Sequence, residues 1–461
     1  MEQGIMPPME RIRYSFPKAL QEVHARIVQA GYQCYVVGGA VRSIILQKAP
    51  TDWDLATDAS PEDLIKLFRT VIPTGIKHGT VTILYKGQKF ETTTFRIEGP
   101  YSDSRHPDHV HYTKELLEDL KRRDFTINAM AIDPREKLLI DPYGGREDCR
   151  NRIIRALGDP FERFKEDALR ILRAVRFSAQ LGFTIEEQTQ KAMKTLAPTL
   201  GGVSAERIRD EMEKIMASER PSIGFVLMTE TGILSILFPE LDACRGIDQK
   251  GAHAFDVFTH SILCCDAAPK DNPIVRWAAL LHDIGKPLAK AETPEGETIF
   301  HRHEQVSAEL SGKILRRLRF PVAFERKVTH LVLHHMFHYE DSWSDAAVRR
   351  FVRKVGKENL EDLFALREAD GWATAGNPPD RKPLTEFRER IARVLSQEAP
   401  LSLKDLAVNG NDLSEAGIPK GPAMGTVLEF LLETVLEDPS MNEREKLLTL
   451  AKNFYRTRLR V

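Results

Sequence analysis

The chain has 461 residues, more than one compact core accommodates, so two to four domains are expected. Apolar residues make up 42% and charged residues 29%, an ordinary balance for a soluble globular protein, and the net charge of −1 excludes a global field toward nucleic acid. A local basic surface is then the only electrostatic route to phosphate. Five cysteines (Cys34, Cys149, Cys244, Cys264, Cys265) show no metal-ligand spacing and read as reduced thiols of a cytoplasmic protein. Residues 1–16 carry charges and two prolines in place of a signal-peptide apolar core, and no apolar run is long enough for a bilayer.

In chain order, Cys34–Val37 reads as a buried strand, followed by Gly38-Gly39 and an apolar-periodic helix over residues 40–46. Residues 81–85 and 89–95 flank Lys86-Gly87-Gln88 and predict a hairpin. Beyond about Asp159 the strand signal ends, and residues 164–180 and Ala205–Met216 carry apolar positions at helical spacing. The remainder reads as helical, broken at Pro239, Pro273, Pro287 and residues 376–379. The expected fold is a multidomain one: an α/β head over 1–158, then an all-α neck over 159–245, a His-rich helical domain over 246–375 and a helical tail over 376–461.

Asp52-Trp53-Asp54 places two carboxylates two residues apart. On a strand such residues share one face, and two converging carboxylates repel unless a divalent cation lies between them. A metal clamp of that kind serves phosphoryl transfer. Alone, an Asp-x-Asp is more often a solvated face than a metal site. Upstream, however, Gly38-Gly39 opens a helix whose first turn carries Arg42, and helix amides with a guanidinium suit a triphosphate.

Strand, Gly-Gly, helix and Asp-x-Asp is the order of the DNA polymerase β superfamily head, a polymerase β-like palm. Val37-Gly-Gly-Ala-Val-Arg42, Asp52-Trp-Asp-Leu-Ala-Thr57 and Arg122-Arg-Asp-Phe-Thr-Ile-Asn-Ala-Met-Ala131 resemble successive motifs of bacterial tRNA nucleotidyltransferases, the CCA-adding enzymes. Asp141-Pro-Tyr-Gly-Gly145, Glu166-Asp-Ala-Leu-Arg-Ile-Leu-Arg-Ala-Val-Arg-Phe177 and Ser204-Ala-Glu-Arg-Ile208 continue the series in the family's order. The resemblance implies addition of C and A to the tRNA 3′ end, with tRNA, CTP and ATP as partners. It implies that Asp52 and Asp54 hold magnesium and are catalytic, and that Gly39, Arg42 and Arg123 contact the nucleotide. Asp167 and Arg170 are assigned to base selection, and lie three apart on the expected neck helix, hence on one face. Arg173 and Arg176 continue that face toward phosphate, or else form salt bridges within the neck. Glu91 is a candidate third carboxylate and equally an exposed strand residue, so it is given no role.

Two features depart from the simplest case. Ser43 follows Arg42 where the family usually has Asp, which puts in doubt any anchoring of Arg42 by that acid. Residues 98–110, with Asp103, Arg105 and Asp108, look like the loop that accompanies A addition, which argues against a CC-only enzyme but leaves full CCA addition and A addition open. A poly(A) polymerase is the enzymatic alternative, and an RNA-binding module with a dead transferase site is the non-enzymatic one.

Thr259-His260, His282-Asp283-Ile-Gly-Lys286, His303, His334-His335 and Asp370 resemble the HD phosphohydrolase superfamily. That likeness implies one metal on His260, His282, Asp283 and Asp370. His303 and one of His334 and His335 suit a second, with His334 assigned. Imidazole and carboxylate ligands suit several transition metals. The domain would hydrolyse phosphate esters or cyclic phosphates at RNA ends, or serve as a scaffold. The segment from Leu403 to Gly425 resembles the family's tRNA-supporting tail, followed by a basic end at Tyr455–Arg460. The sequence does not fix an oligomeric state.

Overall fold

The computed structural model describes residues 9–76, 79–98, 110–249, 254–295, 298–340, 342–375, 380–396 and 401–459. They fall into two compact units, Met1–Asp242 and Ala243–Val461. The loop residues Asp103, Arg105 and Asp108, the break at 376–379 and the terminal Arg460 lie outside the described residues. No described helix is long and apolar enough to cross a membrane.

The first unit begins with β1 (Met9–Arg11), α1 (Lys18–Gln29), β2 (Cys34–Val37), α2 (Gly39–Ile45), β3 (Trp53–Thr57) and α3 (Pro61–Leu67). It continues with β4 (Val71–Gly75), β5 (Thr80–Tyr85), β6 (Gln88–Thr94), the short pair β7 (Arg96–Glu98) and β8 (Val110–Tyr112), and α4 (Leu116–Lys121). β9 (Ala131–Asp133), β10 (Leu138–Ile140) and α5 (Gly145–Asn151) complete the head. Among the described residues, eight of these strands form one sheet in the order β1-β10-β9-β2-β3-β6-β5-β4. Every neighbouring pair is antiparallel except β3 and β6, which run parallel at its centre. Val36, Leu55, Ile83 and Phe90 are buried in it. The expected hairpin is present with a turn one residue shorter: Lys86 (φ +48) and Gly87 (φ +75) both adopt left-handed backbone, as a two-residue turn matched to strand twist requires.

The neck supplies α6 (Pro160–Glu166), α7 (Leu169–Leu181), α8 (Glu187–Leu196) and α9 (Ala205–Met216). The single helix expected over 164–180 is two helices. Asp167 is extended (φ −148, ψ 105) and ends α6. Its side chain accepts from the Leu169 amide at 3.1 Å and its carbonyl from the Arg170 amide at 3.0 Å, so a residue expected inside a helix caps the next one instead. α7 then buries Ile171, Leu172, Ala174 and Val175 and ends at Gly182 in left-handed backbone.

In the second unit, helices Val257–Ala267, Pro273–Leu281, His303–Arg317, Val322–His334 and Leu360–Ala375 enclose buried Trp277 and Phe364. A small antiparallel pair, Lys290–Glu292 with Thr298–Phe300, interrupts the expected all-helical stretch. Pro239, Pro273 and Pro287 each sit at a helix start, where the missing amide costs nothing. The tail packs Pro422–Glu437 against Arg444–Phe454 over Val427, Leu431, Val435 and Leu447. Arg350 and Arg353 of helix Asp345–Val355 pair with Glu429, Glu433 and Glu437 on Pro422–Glu437.

The loop that carries Asn128 is held from below by a glycine. A β-carbon on Gly145 would lie 2.2 Å from the Thr126 carbonyl oxygen, a backbone overlap that only movement relieves. Gly145→Ala should lower stability by about 1–3 kcal/mol in urea titration, whereas Gly201→Ala, with open space around the added methyl, should not share that loss.

Candidate active site and metal cluster

The turn from β2 into α2 brings backbone and carboxylate together. Gly38 lies at φ +66, and a β-carbon there would come within 3.0 Å of Asp54 Oδ2 and 3.5 Å of an Arg123 nitrogen. Left-handed backbone and close approach both exclude a side chain. The Gly39 amide donates to the Asp54 carboxylate, so the helix start is directed at this acid. Register completes the placement: Asp54 lies opposite Val37 on one side and Glu91 on the other.

Burial, with Glu91 and Asp52 adding negative charge, raises the Asp54 carboxyl to about 6 against the pull of Arg123. Asp52 is exposed and lies in the bend just before β3, its carboxylate accepting from the Thr51 hydroxyl at 3.1 Å. The two acids are therefore near each other without sharing a strand face, contrary to the alternation argument. Glu91, given no role from sequence, lines the same cavity as Asp54. Its position two residues before Thr93 on one face of β6 was readable, but the parallel β3–β6 pairing that brings it to Asp54 was not.

That cavity has a volume of about 1020 Å³. Asp54, Glu91, Asp124 and Asp167 line it with eight arginines: Arg42, Arg96, Arg122, Arg123, Arg170, Arg173, Arg176 and Arg207. Gly39 lines it too, and Asp52 lies outside the lining. Arg42 donates to the Asn128 side-chain carbonyl, so it is held with Ser43 in place of the family's acid. Arg123 reaches the Asn128 carbonyl at 3.3 Å and Asp119 at 3.3 Å. Arg173 binds Asp124 at 2.7 Å. Asp124 is buried, which opposes ionisation, yet Arg173 and Asn128 hold it well below the usual carboxylate range. Arg176 pairs with Glu211 at 3.2 Å, and burial beside Arg173 lowers it to about 10.

The proposed base readers sit at the α6–α7 junction. Asp167 Oδ2 accepts from Arg207 at 2.7 Å, and Arg170 donates to the Arg163 carbonyl at 3.0 Å and to Glu166. Arg207, within the Ser204–Ile208 motif but given no role there, thus supports Asp167. A carboxylate has about four acceptor sites, so the bonds from Arg207 and the Leu169 amide leave Asp167 acceptor capacity for a base edge.

The second unit holds a histidine cluster. His260 Nε2 lies 3.1 Å from Asp370 Oδ1 and 3.2 Å from His282 Nε2, and His282 Nε2 is 3.3 Å from Asp283 Oδ2. Asp283 Oδ1 is 3.1 Å from His303 Nε2 and 3.8 Å from His335 Nε2. His282, His303 and His335 place Nδ1 at 2.8, 3.0 and 2.7 Å from backbone carbonyls three residues back, which fixes the proton on Nδ1 and leaves Nε2 as an electron-pair donor. Inward-facing lone pairs beside two carboxylates fit a cation, in the groups His260–His282–Asp283 and Asp283–His303–His335. His334 lies outside them, its ring against His330 at 4.5 Å. It ends helix Val322–His334 and His335 follows it; neighbours about 100° apart on a helix cannot both face one cluster, so His335 takes the place assigned to His334. Lys286, at 2.6 Å from Asp283, is a further buried member.

Three family models match: a poly A polymerase head domain over residues 34–155, a probable RNA and SrmB-binding site of polymerase A over 182–245, and an HD domain over 251–374. The CCA-adding enzyme of Leuconostoc mesenteroides is 32% identical over 440 residues, covering 94% of this chain and 96% of that protein. The CCA-adding enzyme of Geobacillus kaustophilus is 46% identical over 423 residues, covering 90% and 92%. The crystal structure of the Bacillus stearothermophilus CCA-adding enzyme in complex with CTP superposes with a TM-score of 0.73 at 30% identity, over 96% of this chain and 98% of that one. On these matches the chain belongs to the family of CCA-adding enzymes, which are tRNA nucleotidyltransferases.

Proposed function

We propose that this chain adds C and A to the 3′ end of tRNA without a nucleic-acid template, using CTP and ATP, through the cavity of the first unit. The observation that carries this reading is one cavity in which Asp54 and Glu91 face an arginine-rich wall and the Asp167–Arg170 pair. Its four acids and eight arginines leave the lining cationic, the complement of a triphosphate.

The acid cluster fits magnesium: burial and the neighbouring Glu91 and Asp52 carboxylates raise Asp54, a concentration of negative charge that a divalent cation would balance. Asp52 and Asp54 would hold the ion, which when bound supplies Lewis-acid stabilisation of charge on the reacting oxygens. Arg42, Arg123, Arg173 and Arg176 orient the triphosphate. Asp167 accepts from the amino group of cytosine or adenine, and Arg170 donates to the ring acceptors beside it. Uracil and guanine would turn a carbonyl toward the carboxylate, leaving polar groups unpaired at roughly 1–3 kcal/mol each. The five cysteines are buried, with no disulfide among the described residues, which supports a reducing, cytoplasmic location. The histidine cluster of the second unit would hold a transition metal for phosphohydrolase chemistry, with Asp283 shared between two ligand groups. Supplying CTP and ATP separately to tRNA lacking CCA, tRNA-C and tRNA-CC tests the main reading; incorporation of A alone would reduce it to an A-adding enzyme.

Asp54→Asn is expected to abolish incorporation and yet to stabilise the metal-free protein. The folded-state pKa is raised from 3.8 to about 6, so the charge opposes folding increasingly as pH rises between those values and fully above them. In EDTA the variant should gain on the order of 1–3 kcal/mol at pH 7.5 and nothing near pH 3.5; a loss of stability at pH 7.5 contradicts the electrostatic account.

Asp167→Ala should narrow the C-over-U ratio of kcat/KM by about tenfold or more. It deletes one bond for the right base and one repulsion against the wrong one. Single-turnover incorporation of CTP, ATP, UTP and GTP measures this, and an equal slowing of C and U means the base is read elsewhere.

Joint replacement of His282 and Asp283 by Ala should remove bound transition metal and any phosphohydrolase activity. CTP and ATP incorporation should persist, because these residues belong to the other unit. Unchanged metal content by elemental analysis would refute the cluster's role.

A further inference from the structure

Phe177 lies near the end of α7, is only 4% exposed, and still lines the cavity. Three guanidinium carbons surround its ring, Arg176 at 4.3 Å, Arg42 at 4.9 Å and Arg173 at 5.6 Å from the centroid. All three are within the range at which an aromatic quadrupole attracts a cation. They also meet two carboxylates and one neutral amide: Asp124 for Arg173, Glu211 for Arg176 and Asn128 for Arg42.

Like charges this close repel, and burial deprives them of water. The effect is visible in Arg42 and Arg176, both pushed below the usual guanidinium range, chiefly by burial. A third carboxylate would settle the cluster but would cancel the charge that a triphosphate needs. A ring attracts the cations while leaving their charge intact. Its own orientation is fixed by Phe125, edge-on at 5.7 Å and 85°, from the segment that also carries Asp124 and Asn128. A leucine would fill the space but would offer the cations no such face.

We propose that Phe177 is a positioning residue of the nucleotide site, whose ring face holds Arg42, Arg173 and Arg176 in place for the triphosphate. The proposal rests on the reading of this cavity as the CTP and ATP site. Because the ring acts on the phosphate wall and not on the Asp167–Arg170 pair, its loss weakens CTP and ATP alike and leaves base choice unchanged.

The test compares Phe177→Leu, Phe177→Tyr and a series with mono-, di- and trifluorinated phenylalanine at position 177, which lowers the ring's negative face with little change in shape. Incorporation into tRNA is measured for CTP and ATP, with thermal unfolding as the control for folding. Phe177→Leu should raise KM about tenfold for both nucleotides, with kcat and the C-over-U ratio altered far less. Phe177→Tyr should retain KM, and KM should climb stepwise with each fluorine while the unfolding temperature stays level. A KM independent of fluorine number overturns the positioning role, whatever the leucine variant does. Absence of CTP and ATP incorporation by the wild-type protein overturns the nucleotide-site reading instead.

Discussion

Asp54 is held where a charge is least comfortable. It is at the centre of the sheet, against a glycine that must be left-handed, with a second carboxylate in register beside it. Every other arrangement in the head serves that placement. β2 ends at Gly38 so that α2 starts on the acid, the parallel β3–β6 pair aligns Glu91, and the Asp124–Asn128 segment sets the guanidiniums opposite. Acids and guanidiniums interleave around the cavity, Arg173 on Asp124, Arg207 on Asp167 and Arg123 near Asp54, with arginines in excess. Reaction chemistry between a metal and a triphosphate uses both.

The arginine wall illustrates how a protein keeps cations buried without neutralising them. Arg173 pairs with Asp124, and that ion pair ties α7 to the segment before β9 while the guanidinium still lines the cavity. Arg42 meets a neutral amide and an aromatic face instead. One guanidinium is thus balanced by a carboxylate and the other by a neutral group, although both line one space. Buried pairs of the first kind are expensive to break because either partner alone is left as an uncompensated ion.

Much of this was readable in the chain. The Gly-Gly turn and the Asp-x-Asp pair carry their chemistry in their local order, so the strand–helix–strand head followed directly, and the family resemblance added eight of the residues that line the cavity. What was not readable depended on pairing across distance or on backbone detail. Glu91 acquires its place only through a parallel register with β3, which no periodicity reports. Asp52 lies before the strand and not on it, since a bend and a strand end look alike in sequence. Asp167 breaks a helical pattern because its side chain competes for the amides two residues on, a tendency of Asp that apolar spacing conceals. His334 and His335 are indistinguishable as residue types; the rotation of one helix end decided between them.

The break at Asp167 separates the Asp167 and Arg170 side chains, the proposed base readers, in a way one continuous helix would not. On a regular helix the span between positions i and i+3 is a fixed ruler, set by pitch alone. Here one jaw is mounted on an extended residue and the other on the first turn of α7, so the gap is a caliper governed by the φ and ψ of a single residue. A purine edge stands farther from its sugar than a pyrimidine edge. In the proposed reading of this pair, resetting the gap between the two depths would cost the bonds that the Leu169 and Arg170 amides give Asp167, and would exchange neither residue.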